Sequence, residues 1–181
     1  NGDEFLNNRT ESLQIFDFKS DFLKQFNHYK LNYGFDSRFQ KLNSTSSLTN
    51  KNTLLYNTSR YPDAGTDVLN NAIYVQIHLE CTKSLLLFAG SRYSINSLSA
   101  TFQDTTTIDL PFQEIQVQNI SLSNSLQLVY KLNPNLRFNG AVSNGFRNPN
   151  TDDIGKVFSK NDVSVVVPNN QLTPEKSINI E

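Results

Sequence analysis

Apolar and polar residues alternate with a period of two along most of this chain. From Ser12 to Phe26, the residues Phe16, Phe18, Phe22 and Phe26 share one parity, and Asp17, Lys19, Asp21 and Gln25 the other. After a break at Asn27, Tyr29, Leu31, Tyr33, Phe35 and Phe39 alternate with Lys30, Asn32, Asp36, Arg38 and Gln40. Successive strand side chains point to opposite faces, so these two runs predict a hairpin with one apolar and one polar surface. A second hairpin is predicted from Ile73, Val75, Ile77 and Leu79, through a turn at Thr82-Lys83, to Leu85, Leu87, Ala89, Tyr93 and Ile95. The third runs through Ile120, Leu122, Leu126, Leu128 and Tyr130, turns at Asn133-Pro134-Asn135, and returns through Leu136, Phe138, Gly140 and Val142. No stretch sustains a helical period; Asp152 to Phe158 has room for one turn.

The connections alternate in length. Short turns follow Phe26, Thr82 and Asn133, whereas residues 1–10, 43–67 and 99–112 and about thirty residues after Val142 read as long polar loops. Short turns at one end and long loops at the other are the habit of outer-membrane barrels, and most runs exceed the roughly 9–11 residues a tilted strand needs to cross the hydrocarbon. Phe26, Tyr29 and Tyr130 sit beside the short turns, where an interfacial aromatic girdle belongs. The expected fold is therefore all-β: a fragment of an antiparallel transmembrane β-barrel, with about six strands and the start of a seventh, short periplasmic turns and long extracellular loops. Alternation by itself leaves a soluble β-sandwich binding module open.

Two punctuated runs close the chain. The first is Gly145-Phe146-Arg147-Asn148-Pro149-Asn150; the second is Asn169-Asn170-Gln171-Leu172-Thr173-Pro174-Glu175, followed by renewed alternation to Glu181. Gly tolerates positive φ and Pro cannot donate to a ladder, so both mark places where strand pairing stops. In order and at this distance, the pair resembles the G-F-R-x-P and N-x-x-L-x-P-E signatures of TonB-dependent outer-membrane receptors. Gly90-Ser91-Arg92-Tyr93 is similar to that family's G-x-R-Y run. The resemblance implies that residues 1–181 are part of the C-terminal barrel domain of a larger receptor whose plug domain lies outside this chain. It implies a bacterial outer-membrane location, lipid around the barrel, and partnership with the plug and, through it, the TonB complex. It also implies uptake of a large, scarce solute: iron chelates (siderophore or haem) by default, cobalamin or oligosaccharide otherwise. A passive porin is the alternative that shares the alternation and the loop lengths.

Composition narrows the chemistry. A net charge of -1 with 18% charged residues offers no basic stripe for nucleic acid. The lone Cys81 has no disulfide partner within the chain, and the absence of methionine together with the start at Asn1 reads as a fragment. No catalytic set and no cofactor motif appears, so the chain is not expected to be an enzyme. His28 and His78 lie on different strands and read as solvated wall residues rather than metal ligands. The residues expected to face ligand or plug are Arg60, Tyr61 and Asp63 in an extracellular loop, Arg147 on the polar parity of its strand, and Asp152 with Asp153. Each has a plainer reading: loop packing for the first three, a salt bridge to the wall for Arg147, and a helix start for the aspartates.

Overall fold

The computed structural model describes residues 6–49, 54–56, 59–103, 112–154, 158–161, 164–166, 169 and 171–181. The strands are β1 (Leu6–Gln25), β2 (Tyr29–Thr49), β3 (Leu54–Tyr56), β4 (Thr66–Thr82), β5 (Leu85–Thr101), β6 (Glu114–Asn133) and β7 (Leu136–Arg147). A short helix α1 (Thr151–Ile154) follows, then β8 (Phe158–Asn161), β9 (Ser164–Val166) and β10 (Glu175–Ile180). Seven strands pair in the order β1-β2-β4-β5-β6-β7-β10, every pair antiparallel; β3 adds to β2, and β8-β9 form a separate ribbon. The sheet is open, an all-β barrel segment of six long strands and a shorter seventh.

The three tight turns share one end. Thr82 Oγ1 accepts the amides of Ser84 and Leu85 (3.2 and 3.0 Å), and Asn133 Oδ1 accepts that of Asn135 (2.9 Å). Such short side chains mimic a backbone turn, so the registers of these two hairpins are set at their tips. On the first hairpin the apolar parity builds an aromatic ladder: Phe16 on Phe39, Phe18 on Phe35, Phe22 on Tyr33 and Phe26 on Tyr29, with centroids 4.3–6.4 Å apart. Each cross-strand aromatic pair adds about 0.5–1.5 kcal/mol beyond its area.

The strands are longer than the alternation predicts. β1 starts at Leu6, β2 runs on to Thr49, and β5 reaches Thr101, all within stretches expected to be loop. At ~3.3 Å per residue, a strand like β2 extends ~70 Å, well over twice the ~30 Å hydrocarbon. The register explains why the pattern fades. The outward row Phe16-Phe39-Leu69 gives way, two residues on, to Gln14-Lys41-Asp67-Ser99-Gln116. At that level the inward rows become apolar: Ile15-Gln40-Val68-Leu98-Val117, then Leu13-Leu42-Thr66-Ala100-Ile115. Polarity inverts along the same strands. Lower down the sheet is greasy outside and polar inside; the rim above is polar outside with its own small core inside.

Adjacent residues should therefore respond oppositely. Leu122 faces outward beside Tyr93 and Ile73, while Ser123 is in inward register with Arg92. In lipid, Leu122→Arg is expected to cost about 2–4 kcal/mol, and Ser123→Arg close to nothing. Urea unfolding followed by heat-modifiable gel mobility reads both, and equal costs would mean the face assignment is wrong.

Candidate functional site

Two neighbouring regions carry the candidate residues: a cap on the rim and the polar wall below it. The cap is organised by α1. Asn150 Oδ1 accepts the Asp153 amide, and Asp153 Oδ2 accepts the Asn150 amide, both at 3.0 Å. This reciprocal capping box satisfies two amides that a helix start leaves orphaned. Ile154 at the end of the turn is 0% exposed and packs with Leu98, Ala100, Phe102 and Ile115; Leu172 of the second punctuated run packs against the same cluster. The leucine of that run is thus a core contact.

Arg147 ties the two runs together. One guanidinium nitrogen donates to Asp153 Oδ2 at 2.8 Å and another to Glu175 Oε1 at 3.2 Å, with Glu175 directly opposite Arg147 in the β7-β10 register. The wall salt bridge, rather than an unpaired cation, is what forms, and Asp152-Asp153 sit at a helix start. Gly145 lies opposite Ser177, whose Oγ would stand 3.1 Å from a Cβ added there. Pro149 is buried ahead of α1, and Pro174 precedes β10. Asn170 falls outside the described residues.

The loop before β4 joins from the other side. Tyr61 Oη donates to Asp152 Oδ1 at 2.8 Å, the Arg60 guanidinium lies 5.4 Å over the Tyr61 ring, and Asp63 Oδ1 accepts the Gln103 amide at 2.8 Å. Gly65 closes this turn at φ 103°, a conformation that L side chains rarely adopt. All six expected ligand-facing residues are therefore brought to the cap, and each has a partner within it. Burial, then the Asp152 contact, raises the Tyr61 phenol above its ordinary value of 10.0. The Asn150 amide, and after it Arg147, hold the Asp153 carboxyl below 3.8.

That depression has a sign. A lowered folded value stabilises the cap at pH above about 3.8, and the contribution is lost as pH falls through the depressed value. Acidification is expected to loosen α1 in the wild type and to have much less effect in Asp153→Asn, whose cap is looser at neutral pH. Hydrogen exchange of the Asp153 and Ile154 amides across that range measures it; identical acid responses in the two proteins would contradict it.

Below the rim, the wall is built from ion pairs and amides. Asp17 and Arg38 face each other in register and pair through two hydrogen bonds of 2.6 and 3.1 Å. Arg92 reaches across β4 to Asp36 with bonds of 2.6 and 2.8 Å, passing 6.0 Å over the Tyr74 ring. Lys19 meets Asp21 at 3.3 Å, and Asn96 donates to Asn70. Gly90 leaves room beside Ser125, whose Oγ would stand 2.9 Å from a Cβ there, and Tyr93 faces outward with the apolar residues. The arginine of the Gly90–Tyr93 run thus serves the wall and its tyrosine the outer face.

The Asp36–Arg92 pair was not anticipated, although both residues carry the inward parity. A contact between strands two apart needs the register of β4 between them, which alternation alone does not give. His78 stacks on Phe88 with centroids 4.3 Å apart, and Cys81 is exposed at a β-bulge between Glu80 and Thr82. Among the described residues no group of three His, Cys, Asp or Glu could hold a metal ion.

No curated protein matches the chain. The profile of the family described as "TonB dependent receptor-like, beta-barrel" matches residues 1–181, the whole of it. With the open antiparallel sheet, the inverted rim and the Arg147–Glu175 tie between its two punctuated runs, the chain belongs to the TonB-dependent receptor-like β-barrel family.

Proposed function

We propose that the protein containing this barrel segment takes up a large, scarce solute across the bacterial outer membrane, energised by the TonB complex acting on a plug domain of the same receptor. The family is one of outer-membrane transport receptors, and the match over residues 1–181 is the observation that carries the reading. Iron chelates are the default solute class, with cobalamin and oligosaccharides as the other classes. The cap residues Arg60, Tyr61, Asp63, Arg147, Asp152 and Asp153 stand near the mouth of the passage, where their mutual contacts would be exchanged for contacts with solute or plug. Catalysis has no place in this reading.

The test is uptake of labelled ferric chelates by cells that carry or lack the full-length gene, with and without a protonophore. Gene-dependent uptake that stops when the proton-motive force collapses supports the proposal. Gene-dependent passage that survives the collapse would make the protein a passive porin.

A further inference from the structure

On the outer face of the wall, where the outward rows change from apolar to polar, a trough runs along β5. Its floor is short: the outward residues of β5 at that height are Ser97 and Ser99. In register with them stand longer side chains, Leu69 and Asp67 on β4 and Gln118 and Gln116 on β6. Small residues down the middle and long ones on both flanks leave a hollow of about 520 Å³, within the roughly 300–1,000 Å³ usual for small-molecule sites. Neighbouring strands lie about 4.8 Å apart, which puts β4 and β6 roughly 9.6 Å from each other. That width admits one hydrocarbon chain or one sugar ring. A protein surface does not fit it, since a stable interface uses roughly 20–30 residues a side.

The two ends of the trough differ in chemistry. Below it come the rows Asn71-Ile95-Ile120 and Ile73-Tyr93-Leu122, so its foot is continuous with the lipid-facing band. Its head carries the Ser99 hydroxyl, the Asp67 carboxylate and the Gln116 and Gln118 amides. An occupant must therefore be an amphiphile lying tail down and head up, as a lipid of the outer leaflet does. Asp67 is the one ionisable group in the lining; Lys41, opposite it on β2, stands outside the hollow. A carboxylate repels a phosphate and accepts hydrogen bonds from hydroxyls, while serine and glutamine side chains both donate and accept. The head group that fits is a sugar.

We propose that this trough binds a glycolipid of the outer leaflet, its acyl chain along Leu69 and Ile95 and its sugar hydroxyls on Asp67, Ser99, Gln116 and Gln118. The site is on the opposite face of the wall from the passage and lies on no solute's route. It draws on the family's outer-membrane setting and is independent of energised uptake.

The experiment titrates the protein, delipidated in detergent, with two lipids of identical acyl chains: the neutral dioleoyl glucosylglycerol and the anionic dioleoylphosphatidic acid. Native mass spectrometry reads the lipid retained. Wild type is expected to retain the glucolipid in preference to the phosphatidic acid. Ser99→Trp, which fills the floor, is expected to abolish that preference, and Gln14→Trp, in the same outward row but on β1, to leave it unchanged. Asp67→Ala is expected to weaken glucolipid retention about two- to tenfold, the worth of one hydrogen bond, and it keeps the test decisive should Ser99→Trp fail to show the folded gel shift. Equal retention of the two lipids, or a loss as large in Gln14→Trp as in Ser99→Trp, overturns the proposal. So does a dimer that Ser99→Trp dissociates with lipid retention unaltered, which would seat a second copy in the trough. Uptake that survives the protonophore would overturn the transport proposal and leave this site standing.

Discussion

Gly34→Val is expected to prevent the barrel wall from closing up between its first and third long strands. Gly34 lies in inward register between Asp21 on β1 and Tyr74 on β4. A Cβ there would run into the Ser20 carbonyl oxygen and stand 2.5 Å from Tyr74 Oη. The first obstacle is backbone held by a ladder, so it cannot rotate aside. The second is the ring over which Arg92 passes on its way to Asp36. Relief therefore means displacing β1 or unseating the ion pair, and the cost is expected to exceed about 4 kcal/mol, the exceptional end of point-mutant effects.

Gly140→Ala is the control. The nearest atom to a Cβ there is the Glu181 carbonyl oxygen at 4.0 Å, an ordinary contact, so the substitution is expected to change stability by less than about 1 kcal/mol. Both variants are compared by the heat-modifiable gel shift of the folded barrel and by urea midpoint. A Gly34→Val receptor that folds like Gly140→Ala would show that β1 does not approach β2 and β4 in this way.

The contrast between these glycines also shows what the sequence could disclose. Both sit in alternating strands, and nothing local distinguishes them; only the register brings Tyr74 against one. The hairpins were legible because an apolar face must be continuous where lipid touches it, and period two records that demand over Phe16–Phe39 and Ile73–Ile95. The rim was not legible, because there the outer face needs water and the inner face a small core. The period survives with its sense reversed, diluted by Ser, Thr and Asn, and Leu6–Thr10 and Asn43–Thr49 read as loop. Candidate residues followed the same division. Arg147 was found through its motif, but its partners Asp153 and Glu175 arrive from a helix start and a returning strand. A helix start was legible at Asp152-Asp153, though not the Asn150 cap that closes on Asp153; what α1 packs against was not legible either, since Ile154 meets Leu98 and Ile115 from far along the chain.

Ile154→Asp is expected to detach the cap while leaving the lipid-facing wall intact. Ile154 is fully enclosed by Leu98, Ala100, Phe102 and Ile115, so the substitution both empties the site and buries a carboxylate without a partner. Removing the aliphatic volume alone costs about 2–5 kcal/mol, and an unpaired polar group in its place adds to that. The other ties of the α1 turn among the described residues include one capping box, the Arg147 bridge and the Tyr61 hydrogen bond, all exposed to water, and the Asn169 amide on the Ile154 carbonyl oxygen. Its equilibrium should shift to the released state, taking the Tyr61–Asp152 contact and the Leu172 packing with it. The strands below are held by their ladders and by lipid, and the cluster lies above the Phe16-Phe39-Leu69 row that ends the apolar band. Limited proteolysis of intact cells is therefore expected to cut Ile154→Asp rapidly between Asn150 and Leu172 at a concentration that spares wild type, while the heat-modifiable shift stays normal. Ile154→Val should cost only about 0.5–1.5 kcal/mol and keep most of the protection. If Ile154→Asp instead abolishes the gel shift, the rim core is part of the barrel's own folding nucleus; if it leaves proteolysis unchanged, the cap is held by its polar contacts and the apolar cluster is incidental.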